Sequence, residues 1–410
     1  MSLEIESAYQ ILKPIINQTQ LQYHSRLSEL YGAKVYIKRE DLQVVRSYKI
    51  RGAYHMIQSL TLEERTNGVV CASAGNHAQG VAYSCKLLQI YGVIYMPEVT
   101  PKQKINQVRM FGGDFIEIKL IGDTFDECQK EAIAFAIERK MSFIPPFDHK
   151  KIMEGQGTVG KEILDNLSKI DYLFLPIGGG GLCAGVGSYF KIHSPHTKII
   201  GTEPMGAPSM KEALKVGKPI SLEKIDKFVD GAAVKKVGNL TFPICQSVLS
   251  DLVLIPEGKV CTTILNLYNL DAIVSEPAGA LSIAALDDYK ETIRGKTIVC
   301  ILSGGNNDID RMQEIKERSL LFEGLKQYFI VRFAQKPGAL KQFVNEILGP
   351  NDDIVRFEFI QKNNKESGPA LIGIELKSKD DFQSLIMRMK EYKLNFTVIN
   401  EDENLFEYLI

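Results

Sequence analysis

Lys49 stands in SYKIRGAY (47–54), between an aromatic and an isoleucine, two residues before an Arg-Gly pair. A lysine in a loop is ordinarily a solvated charge, whereas an amine withdrawn into a pocket is a nucleophile and a base. Which of these holds depends on what else the chain brings to it. SAGNHAQG (73–80) follows an apolar run and opens a helical pattern. Successive N–H groups there make a seat for an anion such as a carboxylate, although a glycine turn can also serve only to reverse the chain. GGGGL (178–182), after YLFLPI, is more pointed. Four consecutive glycines strip every side chain from a turn; close approach of a phosphate explains that entropy cost, and a merely tight turn would need fewer. No G-K-[ST] follows and the G-x-G-x-x-G spacing is missing, which argues against ATP and dinucleotides.

An activated lysine together with a cradle for one phosphate points to pyridoxal phosphate, whose aldehyde takes an amine as an internal imine. SYKIRGAY, SAGNHAQGVA, PIGGGGL and LSGGN occur in this order along the chain. In order and rough spacing they resemble the tryptophan-synthase-β-like (fold type II) pyridoxal-phosphate enzymes, and among these the threonine deaminases of the biosynthetic kind. The resemblance covers nearly the whole chain. It implies that Lys49 holds the cofactor as a Schiff base and, once freed, acts as the base at Cα. It implies that Tyr48 packs beside the ring, where many relatives have Phe, with a hydroxyl that needs a partner. Asn76 would meet the 3′-oxygen, and Gly178, Gly179, Gly180, Gly181 and the Leu182 amide would hold the phosphate. Ser73, Ala74, Gly75 and His77 would offer amides to the substrate carboxylate. Ser303 would face the pyridine nitrogen, where a hydroxyl supports a neutral ring and so favours elimination over reprotonation; a helix-capping role for that hydroxyl stays open beside it. In the racemase branch a second serine precedes the Gly-Asn pair; here that place is Ala74, which has no proton to give.

Such groups need a frame. Through about residue 310, short apolar runs (67–75, 91–97, 115–120, 171–181, 198–204, 296–306) alternate with helical patterns such as 77–88. Runs this apolar predict parallel strands covered on both faces. The expected fold is α/β, with two open twisted sheets in residues 1–310, the smaller subdomain roughly 40–145. Ligands in such sheets lie beyond the carboxyl ends of the strands, where the three glycine-containing turns 73–80, 178–181 and 303–305 fall. A charged helical neck is expected over 311–326. From 327 to 410 the pattern reads strand 328–333, helix 339–348, strands 352–362 and 370–377, helix 380–392 and strand 394–400. The first helix sets Leu340, Phe343, Val344, Ile347 and Leu348 on one face, and the strand IVRFEFI alternates Val355, Phe357 and Phe359 against Arg356 and Glu358. This βαββαβ unit carries no His, no Cys and no obvious nucleophile, so it reads as a binding or assembly module; it resembles the ACT-like regulatory domain of threonine deaminase.

Composition narrows the rest. A length of 410 residues predicts more than one domain, and a net charge of −1 gives no field to draw nucleic acid or an anionic membrane. No apolar run reaches the roughly 18 residues of a membrane span, and no secretory leader is visible. Seven scattered cysteines without a C-x-x-C pair suit reduced thiols in a cytoplasm. As side chains, His77 and His149 read as structural rather than as bases, and His193 and His196 flank Ser194-Pro195 in what reads as a surface loop. Glu203, with Ala207 and Ser209, lies where some relatives bind a cation, but one carboxylate does not justify a metal, and none is expected. The expected activity is conversion of L-threonine to 2-oxobutanoate and ammonia, the first step of isoleucine biosynthesis, with slower action on L-serine. The expected partners are isoleucine, with valine as a possible counter-effector, and further copies in a dimer or tetramer. The alternatives are a catabolic serine/threonine dehydratase, a threonine synthase, or a regulator that has lost catalysis.

Overall fold

Val69, Val70 and Cys71 are β-branched or small and wholly buried, and the strand they build, Val69–Ala72, is covered on both faces. A computed structural model of the chain describes residues 2–359 and 366–409. It divides into two units, Met1–Ile309 and Asp310–Ile410.

The first unit contains two sheets among its described residues. One runs Leu21–Tyr23, Lys34–Arg39, Thr297–Leu302, Tyr172–Pro176, Lys198–Pro204, Asp251–Ile255 in spatial order. Its first pair is antiparallel, a feature the apolar runs did not announce, and all other pairs are parallel. The second sheet, Ile116–Leu120, Gly92–Met96, Val69–Ala72, Ser142–Phe143, is parallel throughout. The α/β reading of this region is therefore borne out. Cys300 pairs with Phe174, so two neighbouring strands end side by side, one running into Ser303 and the other into the glycine loop.

Helices close the space above these ends through glycine contacts. A β-carbon at Gly80 would lie 3.2 Å from the Lys49 carbonyl carbon, and one at Gly155 only 2.5 Å from the Arg51 carbonyl oxygen. Helix Lys49–Gln58 is thus held tightly between helices Asn76–Leu88 and Lys150–Asn166. All seven cysteines are buried free thiols, and no helix among the described residues is long and apolar enough to cross a membrane.

The second unit is an antiparallel sheet in the order Asp353–Phe359, Ser367–Glu375, Lys326–Ala334, Asn395–Val398, the strand order of a split βαβ unit. Helix Met312–Phe322, expected as a neck, is tied to this unit by Tyr328, whose hydroxyl donates to Glu317 at 2.5 Å. Two expectations fail here. The helix over 339–348 is one α turn, Ala339–Gln342, followed by a π-helical turn, Phe343–Ile347. The wider turn shifts the phase, so Phe343 and Ile347 enter the core while Leu340 and Val344 stay exposed. In the strand expected over 352–362, a bulge between Ile354 and Arg356 breaks the alternation. Val355 falls in the bulge and is exposed, whereas Phe357 packs on the core and Phe359, though partly exposed, sets its ring 6.3 Å from that of the core residue Phe333; residues 360–362 lie outside the described residues.

Candidate active site

Lys49 is the first residue of its helix, directly after Tyr48. The preceding chain is zipped to the LSGGN turn: the Tyr48 amide donates to the Ser303 carbonyl at 3.1 Å, and Ser47 bridges Gly304. The lysine is thereby kept beside the end of strand Thr297–Leu302. Its Nζ donates to the Pro146 carbonyl at 2.9 Å and lies 5.5 Å from the centre of the Tyr48 ring. Burial draws its pKa down to about 8, with the Glu276 carboxylate pulling the other way. The neutral amine is thus far more populated near neutrality than in an ordinary lysine, which is what a nucleophile needs. The Tyr48 hydroxyl bonds to no described residue, and burial pushes its pKa up.

The glycine loop is built from behind. The Gly179 carbonyl accepts the Thr241 hydroxyl at 2.6 Å and the Gly238 amide at 3.2 Å; the Gly180 carbonyl accepts the Cys245 thiol at 3.4 Å. Asp148 fixes this support by accepting the amides of Asn239, Leu240 and Thr241. With the carbonyls bound on one side, the amides are turned to the other. Those of Gly178, Gly179 and Gly180 meet no acceptor among the described residues, at the start of helix Gly181–His193 with Leu182 in its first turn. The four glycines have a packing reason as well as the expected one. A β-carbon at Gly179 would sit 2.3 Å from the Phe147 ring and one at Gly178 2.9 Å from the Ala232 carbonyl; Gly180 has φ +92°. Close approach of a phosphate is therefore not needed to explain every glycine.

The SAGNHAQG loop is less open than expected. The Ser73 amide is committed to the Tyr95 carbonyl at 3.0 Å, and the Gly75 amide to the Ser73 hydroxyl at 3.2 Å. Of the four amides proposed for a carboxylate, those of Ala74 and His77 keep no described acceptor, joined by the amide of Asn76. Gly75 borders open space, since a β-carbon there would touch nothing within 4 Å. Burial, with Lys49 nearby, pushes the His77 pKa down to about 3, and its Nε2 donates to the Ile144 carbonyl at 2.9 Å. His77 is thus a neutral strut, not a base. Ser303 is buried without a described side-chain bond, and the next helix starts only at Ile309, too far along the chain for its hydroxyl to cap it.

Two features escaped the sequence reading. The segment 144–149 is a hub: Ile144 receives His77, Pro146 receives Lys49, Phe147 backs the glycine loop, Asp148 pins residues 239–241, and His149 accepts the Lys151 amide to cap the following helix. Its Pro-Pro-Phe-Asp string is the one local signal of a shaped loop. The other is Glu276, buried at the start of helix Pro277–Ala284. Asn76 Nδ2 donates to both its oxygens, at 2.7 and 2.9 Å, while Asn76 Oδ1 accepts Asn306 Nδ2 at 2.7 Å. Only the Glu-Pro pair, a common helix start, marks it in the sequence. Glu203, by contrast, caps helix Ser209–Val216, accepting the amides of Met210 and Lys211 at 2.7 and 2.9 Å; burial pushes its pKa up to about 8.

These residues could hold pyridoxal phosphate. The amides of the glycine loop fit a phosphate, the depressed amine of Lys49 fits an aldehyde, and the open side of Gly75 leaves room for a bound amino acid. Comparison with known proteins agrees. Residues 12–304 match the family model described as pyridoxal-phosphate dependent enzyme, and residues 317–409 that described as the C-terminal regulatory domain of threonine dehydratase. The chain is 61% identical over 408 residues to a biosynthetic L-threonine dehydratase of Halalkalibacterium halodurans, covering 99% of this chain and 98% of the relative. It is 57% identical over 407 residues to that of Bacillus subtilis, covering 99% and 96%. The processed form of threonine deaminase isoform 2 from Solanum lycopersicum superposes with a TM-score of 0.74 at 40% identity, over 77% of this chain and 92% of that one. The chain belongs to the pyridoxal-phosphate dependent enzymes, in the biosynthetic threonine dehydratase branch that carries a C-terminal regulatory domain.

Proposed function

We propose that this chain dehydrates and deaminates L-threonine, releasing 2-oxobutanoate and ammonia at the entry to isoleucine biosynthesis, and acts more slowly on L-serine. The observation that carries the reading is the juxtaposition, through Pro146 and Phe147, of a buried amine of lowered proton affinity with the unpartnered amides of the glycine loop. When bound, pyridoxal phosphate supplies an aldehyde for the amine and an electron-withdrawing ring that acidifies the α-hydrogen of an amino acid.

The chain's own groups supply the rest. The amides of Gly178–Leu182 take the phosphate, and the Tyr48 ring flanks the cofactor. Asn76 meets the 3′-oxygen and Ser303 the ring nitrogen. The amides of Ala74, Asn76 and His77 orient the substrate carboxylate. Lys49, neutral in part near pH 8, removes the α-proton. Loss of that proton and of the β-hydroxyl from threonine leaves an enamine, which takes up water and gives one 2-oxobutanoate and one ammonia. Ala74 offers no second proton donor on the opposite face, so racemisation stays slow.

The second unit senses the pathway's end product, isoleucine, with valine opposing it, and the protein works in the cytoplasm as a dimer or tetramer. Keto-acid release from threonine and from serine, each with and without isoleucine, tests the whole reading. Threonine should be the faster substrate and isoleucine should inhibit; a protein that releases no keto acid from either is not this enzyme.

A further inference from the structure

Glu276 is a buried carboxyl that the mechanism above does not use. Both its oxygens accept Asn76 Nδ2. The carbonyl side of Asn76 is held by Asn306 Nδ2, which also donates to the Val45 carbonyl at 2.9 Å. The amide plane of Asn76 is therefore fixed from both ends, and its carboxylate clamp spans 200 residues of sequence. Gly304 is the spacer that lets the clamp come close. A β-carbon there would lie 2.5 Å from Glu276 Oε1 and 3.1 Å from the Ser47 β-carbon, two residues before Lys49. The Glu276 amide in turn donates to the Gly304 carbonyl at 3.1 Å. A negative group is thus built into the wall shared by Asn76 and the lysine segment.

We propose that Glu276 is a positioning residue of this site, aiming the Asn76 amide at the cofactor's ring oxygen and placing a negative charge beside the Lys49 amine. This rests on the reading of the site given under Proposed function. An Asn76 amide with one N–H taken by a carboxylate keeps its second N–H for another acceptor, and polarisation by that carboxylate strengthens the second bond. An anion beside the amine favours its protonated form. The charged and titratable groups that act on Glu276 are Asp230, which raises its proton affinity, and Lys104, which lowers it; the Asn76 side chain and the Asn306 backbone amide also favour the ionised form. Burial outweighs these and holds its pKa up to about 7. Lys49 and Tyr48 both feel its charge.

The test is made on the holoenzyme, with Glu276→Gln and Glu276→Asp. Two quantities are read: the pH midpoint at which the absorbance of the bound cofactor changes, and the dissociation constant of pyridoxal phosphate. Glu276→Gln removes the charge, so the midpoint should fall by about one pH unit and cofactor binding should weaken by roughly tenfold. Glu276→Asp keeps the charge but shortens the arm; its midpoint should stay near that of the parent protein while affinity still falls. A group serving only to start helix Pro277–Ala284 would change melting temperature and move neither quantity. An unmoved midpoint in Glu276→Gln overturns the proposal, and where that variant cannot be purified, unweakened binding in Glu276→Asp does so. A parent protein that takes up no pyridoxal phosphate sinks the reading of the site itself, whereas a yellow parent with indifferent variants sinks only the role of Glu276.

Discussion

At the scale of single residues, the chemistry turns on how far a protein can weaken an amine's hold on its proton. Lys49 has an amine of pKa about 8, against about 10.4 for a free lysine side chain. The sign follows from linkage: the folded state binds this proton less tightly than the unfolded chain. The lysine therefore costs the cofactor-free protein stability below about pH 8, and the cost fades as the pH rises toward the ordinary lysine value. Capture of pyridoxal phosphate by cofactor-free protein, trapped with borohydride and located by peptide mass, should rise with pH to a half-maximum near 8. A half-maximum above 10 would mean that the amine is solvated. Replacing Lys49 by alanine should leave no trapped cofactor at this position.

At the scale of elements, the lysine helix is oriented by a buried ionic cluster directly behind it. The Arg51 guanidinium, wholly buried, donates to both oxygens of Glu40 at 2.8 Å and to those of Glu162 at 2.7 and 2.8 Å. Lys38 closes the set, donating to Glu162 and to the Thr19 carbonyl at 2.6 Å. Two cations balance two carboxylates, and strand Lys34–Arg39 and helices Lys49–Gln58 and Lys150–Asn166 are joined at one point. A pair that stays matched contributes little net stability, but removing one member strands the others without water. Arg51→Met should lower unfolding stability by about 3–5 kcal/mol in urea titration. A loss below about 1 kcal/mol, the range of exposed pairs, would show that water reaches the cluster. The Arg-Gly pair beside Lys49 thus has two jobs, charge for the cluster and, at Gly52, room for the neighbouring helix: a β-carbon there would lie 2.9 Å from the Ile152 carbonyl.

At the scale of the molecule, the two units have separate cores: Phe329, Val331, Phe343, Ile347, Ile372 and Leu385 belong to the second alone. Helix Met312–Phe322 goes with that unit through Glu317, so the clean cut falls at 309/310. Protein ending at Ile309 should still deaminate threonine, while isoleucine, expected to inhibit the full chain by fivefold or more, should leave it unchanged. Equal inhibition of both proteins would place the effector site in the first unit.

Much of this was legible from sequence, because it is local. The parallel strands announced themselves as apolar runs, and the three turns at their ends as glycines. Lys49 stood out because an amine between hydrophobic neighbours has to be explained. The tail's strand and helix order also followed from periodicity, but the phase of 339–348 and of 352–359 did not. A π turn and a bulge are single-residue slips that no pattern of apolar residues records. What only the tertiary structure decided are the partners brought from far along the chain. These are Glu276 at Asn76, Pro146 at Lys49, and Thr241 and Asp148 behind the glycine loop. Their hydrogen bonds form only once the sheets have stacked, and nothing in the residues flanking either partner encodes the other.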